Sequence, residues 1–476
     1  MDNRISVCSE IGVLKRLLVH SPDSGLGKVV PSKAQDWLFE DIVHLDTIRR
    51  DEYDYYTKLL LYFLDPGKIK GKLVAINANR DFYKPENPGF FRSDKVIELQ
   101  WLLAEVLEDE VLRSKLVASV CAIEGCTWEL QNILQEYSPT QLAKTFISGT
   151  GNDKDMLFAP IPNLIFTRDI GITIKDHILL NKPAKKARTR ETLLAKYIFF
   201  HHPLFTAYRG NILEIADSNH GFLLPKDDDE RKITLEGGDI MVVSKHHLLV
   251  GVSERTSSEA AIRIMQLVFE KGLMQKVSII RIPKKRDYMH IDTIFTQVKK
   301  GVWVMLGNFS RKGSRFNEAS ALEKLMDIKK EEKIRILQFH KDKPDTPVPF
   351  DTLEDLLTDV SRTDLGVKEE IQFIYSGNNE FPYNAREQWT DSCNLLALKE
   401  GVVLGYDRND KTTEAFTQAG FRVVHVKELL DQLESGTTDI STIKDTLILM
   451  PSAELSRARG GFHCMSMPVL REPIDL

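Results

Sequence analysis

An α/β protein is what this 476-residue sequence predicts, and three observations predict it. Seven stretches run or alternate apolar and end in turn residues, as strands do: VLKRLLVHSP, HILLNKP, HHLLVGV, KVSIIRIP, GVWVMLGN, GVVLGYDRND and TLILMP. Segments with apolar residues three or four apart lie between them, and strand and helix interleave from about residue 155 onwards. Composition completes the case: 42% hydrophobic and 28% charged residues describe a globular chain, long enough for roughly two to three domains.

In chain order, the first residues, MDNRISVCSEIG, lack the apolar core of a secretory signal, and VLKRLLVHSP is the first strand. DFYKPENPGFFRS is punctuated by Pro and Gly and reads as loop. Residues 93–147 differ from the rest: SDKVIELQWLLAEVLEDEVLRSKLVASV and WELQNILQEYSPTQLAKTFI predict a separate all-helical insertion. The remainder, 1–92 and 148–476, forms the α/β body. Within it, TRETLLAKYIFFHHP and SSEAAIRIMQLVFEKG have helical spacing. For the second, Thr256, Ser257 and Ser258 are capping candidates and Gly272 is the stop. The polar stretch 310–350, with RKGSRFNEAS and HKDKPDTPVPF, predicts long loops. No repeat of fixed period is visible in the sequence.

A formal net charge of −5 offers no electrostatic basis for binding nucleic acid or an anionic membrane. No apolar run approaches the ~18–20 residues that span a bilayer; VLRSKLVASVCAI carries charges inside it. The five cysteines, Cys8, Cys121, Cys126, Cys393 and Cys464, are scattered. Cys121 and Cys126 have no second Cys/His pair at zinc-ligand spacing, so no metal is expected. A reducing, cytoplasmic location fits best.

Five segments concentrate unusual residues: PNLIFTRDIG (162–171), KKARTRETLL (185–194), LEGGDIMVV with SERTS (235–257), MHIDT (289–293) and RGGFHCMSMP (459–468). All but the last follow or end a predicted strand. Each has a bland reading alone. Arg168 and Asp169 could pair in a turn, Gly237 and Gly238 could serve positive φ or a close backbone approach, and Cys464 could be a small buried hydrophobe. Together they fit one chemistry. Cys464 is a nucleophile that needs help to become thiolate, and His290 can serve as base and then as acid toward a leaving amine. Glu236 can orient the imidazole. Asp169 and Asp292 form a carboxylate pair that is costly in a closed pocket unless a cation lies between them, and a guanidinium matches such a pair. Arg188 and Arg255 suit an anionic group at the far end. Carboxylates at one end and arginines at the other describe a pocket for free L-arginine.

FTRD, LEGGD, MHIDT and RGGxHCMSMPxxRE, in this order, resemble arginine deiminase, in the guanidino-group-modifying superfamily. The similarity extends to LFEDIVHLDTIRRDEYDYY near the N-terminus and to REQWTDSCNLLALKEGVVLGYDRND at 386–410. It covers most of the chain except about 66–95 and 310–380. The resemblance implies Cys464 as nucleophile, His290 as acid and base, Glu236 as its partner, and Asp169 and Asp292 on the guanidinium. It further implies Asn163, Arg188 and Arg255 on the α-carboxylate, Phe166 on the aliphatic stem, and Arg459 on a mobile gating loop. The implied fold is a five-bladed pseudosymmetric α/β propeller of ββαβ units with a helical domain inserted after the first. The implied reaction converts L-arginine to citrulline and ammonia through an S-alkylthiouronium on Cys464, without metal or cofactor, in a dimer or larger homo-oligomer. An amidinotransferase, or a hydrolase of a related guanidine, is the alternative. The chain departs from the family pattern at Phe462, where glycine is expected, and at 376–380, which reads SGNNE in place of a glycine–glycine–acid turn.

Overall fold

The computed structural model describes residues 4–151, 155–216, 232–285, 287–311 and 334–474. Their strands fall into five sheets, and all seven strands expected from the sequence are among them. One plan recurs in each sheet: an antiparallel pair, then a helix, then a strand parallel to the second member of the pair. The plan appears in β3 (Gly171–Ile174) and β4 (His177–Leu180), the helix Thr189–His201, and β5 (Ile212–Leu213). It recurs in β6 (Ile240–Ser244) and β7 (His247–Val252), the helix Ser258–Glu270, and β8 (Lys276–Arg281). The third copy is β9 (Phe295–Lys299), β10 (Val302–Met305), the helix Leu353–Asp359 and β13 (Gln372–Tyr375). The fourth is β14 (Leu396–Lys399), β15 (Val402–Tyr406), the helix Asp410–Gln418 and β17 (Thr446–Met450), with β16 (Arg422–His425) parallel beside β17. The last sheet joins the two ends of the chain: β18 (Met467–Arg471) pairs with β1 (Leu14–Val19), and β2 (Val96–Glu98) follows the helix Asp54–Leu64. Parallel neighbours need a crossover, which is why a helix intervenes each time.

Local chemistry accounts for the helix ends. Ser257 is the N-cap that the sequence offered, its hydroxyl accepting from the Ala260 amide, and Gly272 carries the positive φ past the C-terminus. The all-helical segment starts later than expected. Val96–Glu98 is strand β2, because its apolar residues lie against β1, and the helices run Leu99–Val106, Glu110–Glu124, Trp128–Gln135 and Pro139–Ser148. Asp109, Thr127 and Ser138 cap three of them, and Gly125 and Gly149 end two in the left-handed conformation. Leu116, Val120, Leu142 and Phe146 share one core with Leu18, Ile178, Met467 and Val469, so the helices bury their apolar faces on the neighbouring sheets.

A second correction concerns 310–350. RKGSRFNEAS lies, from residue 312, outside the described residues. HKDKPDTPVPF is not loop: β11 (Arg335–His340) and β12 (Lys343–Phe350) form a hairpin that extends the sheet of β8. Pro344, Pro347 and Pro349 disguise β12, but it is an edge strand, where a missing amide hydrogen costs no ladder bond.

Candidate active site

The unusual residues do not follow strands so much as lead into them, at the same place in each sheet. Phe166 and Asp169 precede β3, Glu236 precedes β6, His290 and Asp292 precede β9, Asn394 precedes β14 and Cys464 precedes β18. Arg188 and Arg255 follow the second strand of their sheets and precede its helix, as the sequence suggested. The five turns meet because two glycines let them. A Cβ on Gly237 would lie 2.0 Å from the Arg168 carbonyl oxygen, and one on Gly238 would lie 2.5 Å from His290 Nδ1. Close approach, not positive φ, is therefore what LEGGD encodes.

Cys464 is buried, and its Sγ lies 3.4 Å from Asp292 Oδ2 and 3.1 Å from Asn394 Nδ2. Burial pushes the thiol well above its usual range, and the charges of Asp292, Asp169 and Asp391 push it further. His290 Nε2 lies 3.1 Å from Glu236 Oε2. Burial alone would lower its pKa; Asp169, the hydrogen bond to Glu236 and the charges of Asp239 and Glu236 outweigh it and bring it up to about 10. Glu236 is the counterpart: burial opposes ionisation, but Arg188, His290 and Arg255 hold it at about 2. At neutral pH Cys464 is thus a thiol, His290 an imidazolium and Glu236 a carboxylate.

The two arginines stand differently. Arg188 Nη1 lies 2.9 Å from Asp169 Oδ2 and 3.2 Å from Glu236 Oε2, while Nε and Nη2 reach Glu191 at 3.1 and 2.5 Å. All of its edge is committed to carboxylates of the site. Arg255 is looser: Nη1 is 3.8 Å from Glu236 Oε1 and Nη2 is 3.9 Å from the Met289 sulfur. Asn163 donates from Nδ2 to the Trp37 carbonyl at 2.7 Å. Phe166 lies against the loop before the nucleophile, where a Cβ on Gly460 would come within 2.4 Å of its ring. Arg459 has a positive φ of 58° and stacks its guanidinium on Trp389, 3.8 Å from the ring centre.

Several residues that the sequence reading did not select take part. Asp292 is braced by His463 Nδ1 at 2.9 Å, and His463 in turn by Glu10 at 3.2 Å and by Arg168. That hydrogen bond and the positive neighbours lower the Asp292 pKa against the opposing effect of burial. Asp239 Oδ1 accepts from the Ile291 amide at 3.0 Å and holds the MHIDT turn in register. Asp391 Oδ2 accepts from the Gly460 amide at 2.8 Å, and burial raises its pKa to about 6. Asp239, Asp391, Asn394 and His463 lie inside or beside quoted motifs, but acids, amides and imidazoles in turns have local roles that mask distant ones. Asp169, Glu236 and His290 also bring one potential ligand atom each within 4.8 Å of one another, a donor set able to hold a cation. The Arg188 guanidinium is the cation that reaches two of them.

A model of the arginine deiminase family matches residues 123–471. The chain belongs to the arginine deiminase family. Curated arginine deiminases of Staphylococcus aureus strains JH9 and Newman are each 29% identical to it over 500 residues, spanning 99% of this chain and 100% of theirs. Among solved structures, an amidinotransferase of saxitoxin biosynthesis from Microseira wollei aligns with 99% of this chain and 98% of its own, at 12% identity and a TM-score of 0.46. The two departures from the arginine deiminase pattern have structural accounts. Phe462 is buried in an aromatic contact, 5.1 Å from Tyr56 and 5.0 Å from Tyr406, ring centre to ring centre. At 376–380 the turn is made by Gly377, Asn378 and Asn379, all at φ between 52° and 58°; asparagine tolerates the left-handed region that glycine would otherwise supply. Among the described residues no helix is long and apolar enough to cross a membrane.

Proposed function

We propose that this protein is an arginine deiminase that hydrolyses L-arginine to citrulline and ammonia, with Cys464 as nucleophile. The observation that carries the reading is the Cys464 sulfur, buried 3.4 Å from Asp292 Oδ2 and subject to the Asp169 charge, which also acts on His290 in its pair with Glu236. A further cation placed among these carboxylates offsets their charge at the sulfur and so favours the thiolate. A guanidinium is such a cation, and it is the electrophile.

Binding between Asp169 and Asp292 sets the guanidinium carbon beside Sγ and lowers the thiol pKa, so the thiol proton passes to solvent as the substrate arrives. The thiolate attacks the carbon to form a neutral tetrahedral adduct. His290, protonated in the free enzyme, donates its proton to one nitrogen, which departs as ammonia and leaves a cationic S-alkylthiouronium. The now neutral imidazole takes a proton from water, and the hydroxide adds to the same carbon. Collapse of this second adduct expels the thiolate, and loss of the hydroxyl proton gives the ureido group of citrulline. Positioning of the cation supplies much of the rate, an effect of up to ~7–11 kcal/mol in well-oriented systems. Arg255 and Asn163 receive the α-carboxylate, Phe166 packs on the aliphatic stem, and Arg459 gates the site with its loop. For Arg188 to join in holding the carboxylate, it must release Asp169 and Glu236 while Glu191 keeps hold of the other edge.

The five sheets are read as five ββαβ blades around this site, with the helices of 99–148 as an insertion into a catalytic body. A cytoplasmic homo-oligomer completes the proposal. The test is to incubate the purified protein with L-arginine, with and without an added amine acceptor. Citrulline and ammonia in equal amounts without the acceptor, and none from Cys464→Ser, are the expected result. Guanidine transfer to the acceptor, or unchanged citrulline from Cys464→Ser, would overturn it.

A further inference from the structure

Four of the five turns that lead into a sheet's first strand contribute a residue selected above; the turn before β14 is the fifth. It runs Asp391-Ser392-Cys393-Asn394, and its asparagine reaches the reacting atom. We propose that Asn394 is a catalytic residue, its side-chain amide donating the hydrogen bond that stabilises the Cys464 sulfur as thiolate. This rests on the reading of Cys464 as nucleophile.

The orientation of the amide is set by backbone chemistry. Oδ1 accepts from the Cys464 backbone amide at 3.0 Å, a group that can only donate, so Nδ2 is the end that faces the sulfur, at 3.1 Å. The same Nδ2 donates to the Asp292 carbonyl at 3.2 Å. Asn394 is 1% exposed, and a Cβ on Gly461 would lie 2.5 Å from its carbonyl oxygen, so loop and asparagine are packed into one position. The charged groups around the sulfur are unhelpful to a thiolate. Asp169, Asp292 and Asp391 repel it, while the imidazoles of His290 and His463 are paired with Glu236, Asp292 and Glu10. When the thiol proton leaves, the sulfur changes from donor toward Asp292 to acceptor, and the Asn394 N–H is already in place. The amide is uncharged, so it favours the thiolate without competing with the guanidinium for the carboxylates.

Asn394→Ala removes the donor and adds no charge; Asn394→Asp keeps the shape and the acceptor for the Cys464 amide but removes the donor. The readout is the pH midpoint of Cys464 alkylation by iodoacetamide, quantified on the Cys464 peptide because Cys8 and Cys126 are also partly accessible. Both variants should raise the midpoint, by about 1–2 pH units for alanine and at least as much for aspartate. kcat for arginine should fall at least ~10-fold at neutral pH, with KM nearly unchanged. A residue that only braces the Cys464 backbone predicts the reverse ranking, with aspartate tolerated. A wild-type midpoint and kcat in Asn394→Asp overturn the proposal, and if Asn394→Ala does not fold, aspartate alone decides. Failure of the parent reading would look different: Cys464→Ser would still form citrulline.

Discussion

At the scale of single residues, the feature that sets this site apart is how many ionised groups it keeps dry, and Arg188 shows the cost of that. Its guanidinium holds Asp169, Glu191 and Glu236 together in the protein interior. Burial and the charges of Asp169 and Glu236 push the Glu191 pKa up despite its pairing with Arg188, a sign of how crowded the negative charge is. Removing one partner of a buried ion pair typically costs ~3–5 kcal/mol, because the other charge stays behind. Arg188→Ala should therefore lower the unfolding free energy by about that much in urea titrations at pH 7. A loss under about 1 kcal/mol would mean that the carboxylates do not depend on this guanidinium.

At the scale of elements, packing between a helix and a strand holds the loop that precedes Cys464. Phe462 sits between the helix Asp54–Leu64 and β15, its ring against Tyr56 and Tyr406, and the Tyr406 hydroxyl donates to the Gly460 carbonyl at 2.7 Å. Those contacts anchor the segment just before Cys464 to both elements. Phe462→Ala empties a packed aromatic site and should cost about 3–5 kcal/mol in unfolding free energy. Since the ring is committed to Tyr56 and Tyr406, KM for arginine should change little. A large rise in KM with stability intact would instead place Phe462 in the substrate path. The same scale explains the sequence readings that needed correction. Val96–Glu98 continues an apolar helical pattern, and only its pairing with β1 makes it a strand. The proline-rich β12 reads as loop because edge status is a property of the sheet, not of the segment.

Across the whole molecule, the two chain ends are welded by the sheet β18–β1–β2, and a buried ionic cluster lies at its edge. His20 Nδ1 is 2.7 Å from Glu98 Oε1 and Nε2 is 3.2 Å from Asp23 Oδ2. Burial would lower the His20 pKa, but Glu98 and Asp23 together raise it to about 9. A pKa raised on folding contributes stability that is complete below the unfolded value near 6.5 and is lost as pH rises through about 9. The difference corresponds to a contribution of the order of 3 kcal/mol. Unfolding free energy measured from pH 6 to 9.5 should decline across that window, and His20→Gln should flatten the decline. An unchanged slope in the variant would assign the pH dependence to other groups.

The sequence by itself determined the α/β class, seven of the strands and the capped helix Ser258–Glu270, and it supplied the residues proposed for the site. These follow from short-range periodicity and from residue types, and both survive without knowledge of the rest of the chain. Cys464, His290, Glu236, Asp169 and Asp292 were legible because thiol, imidazole and paired carboxylates in ordered motifs leave few chemistries open. Only the tertiary structure decided that Arg188 pairs with Asp169, Glu191 and Glu236, and that Phe462 packs against Tyr56 and Tyr406. It also decided that Asn394, an unremarkable asparagine in a turn, donates to the sulfur. The physical reason is one of range. These facts depend on contacts between segments far apart in the chain, 70 residues for Asn394 and Cys464, brought together by close backbone approach at Gly237, Gly238, Gly460 and Gly461, and no local pattern encodes which turn a neighbour belongs to.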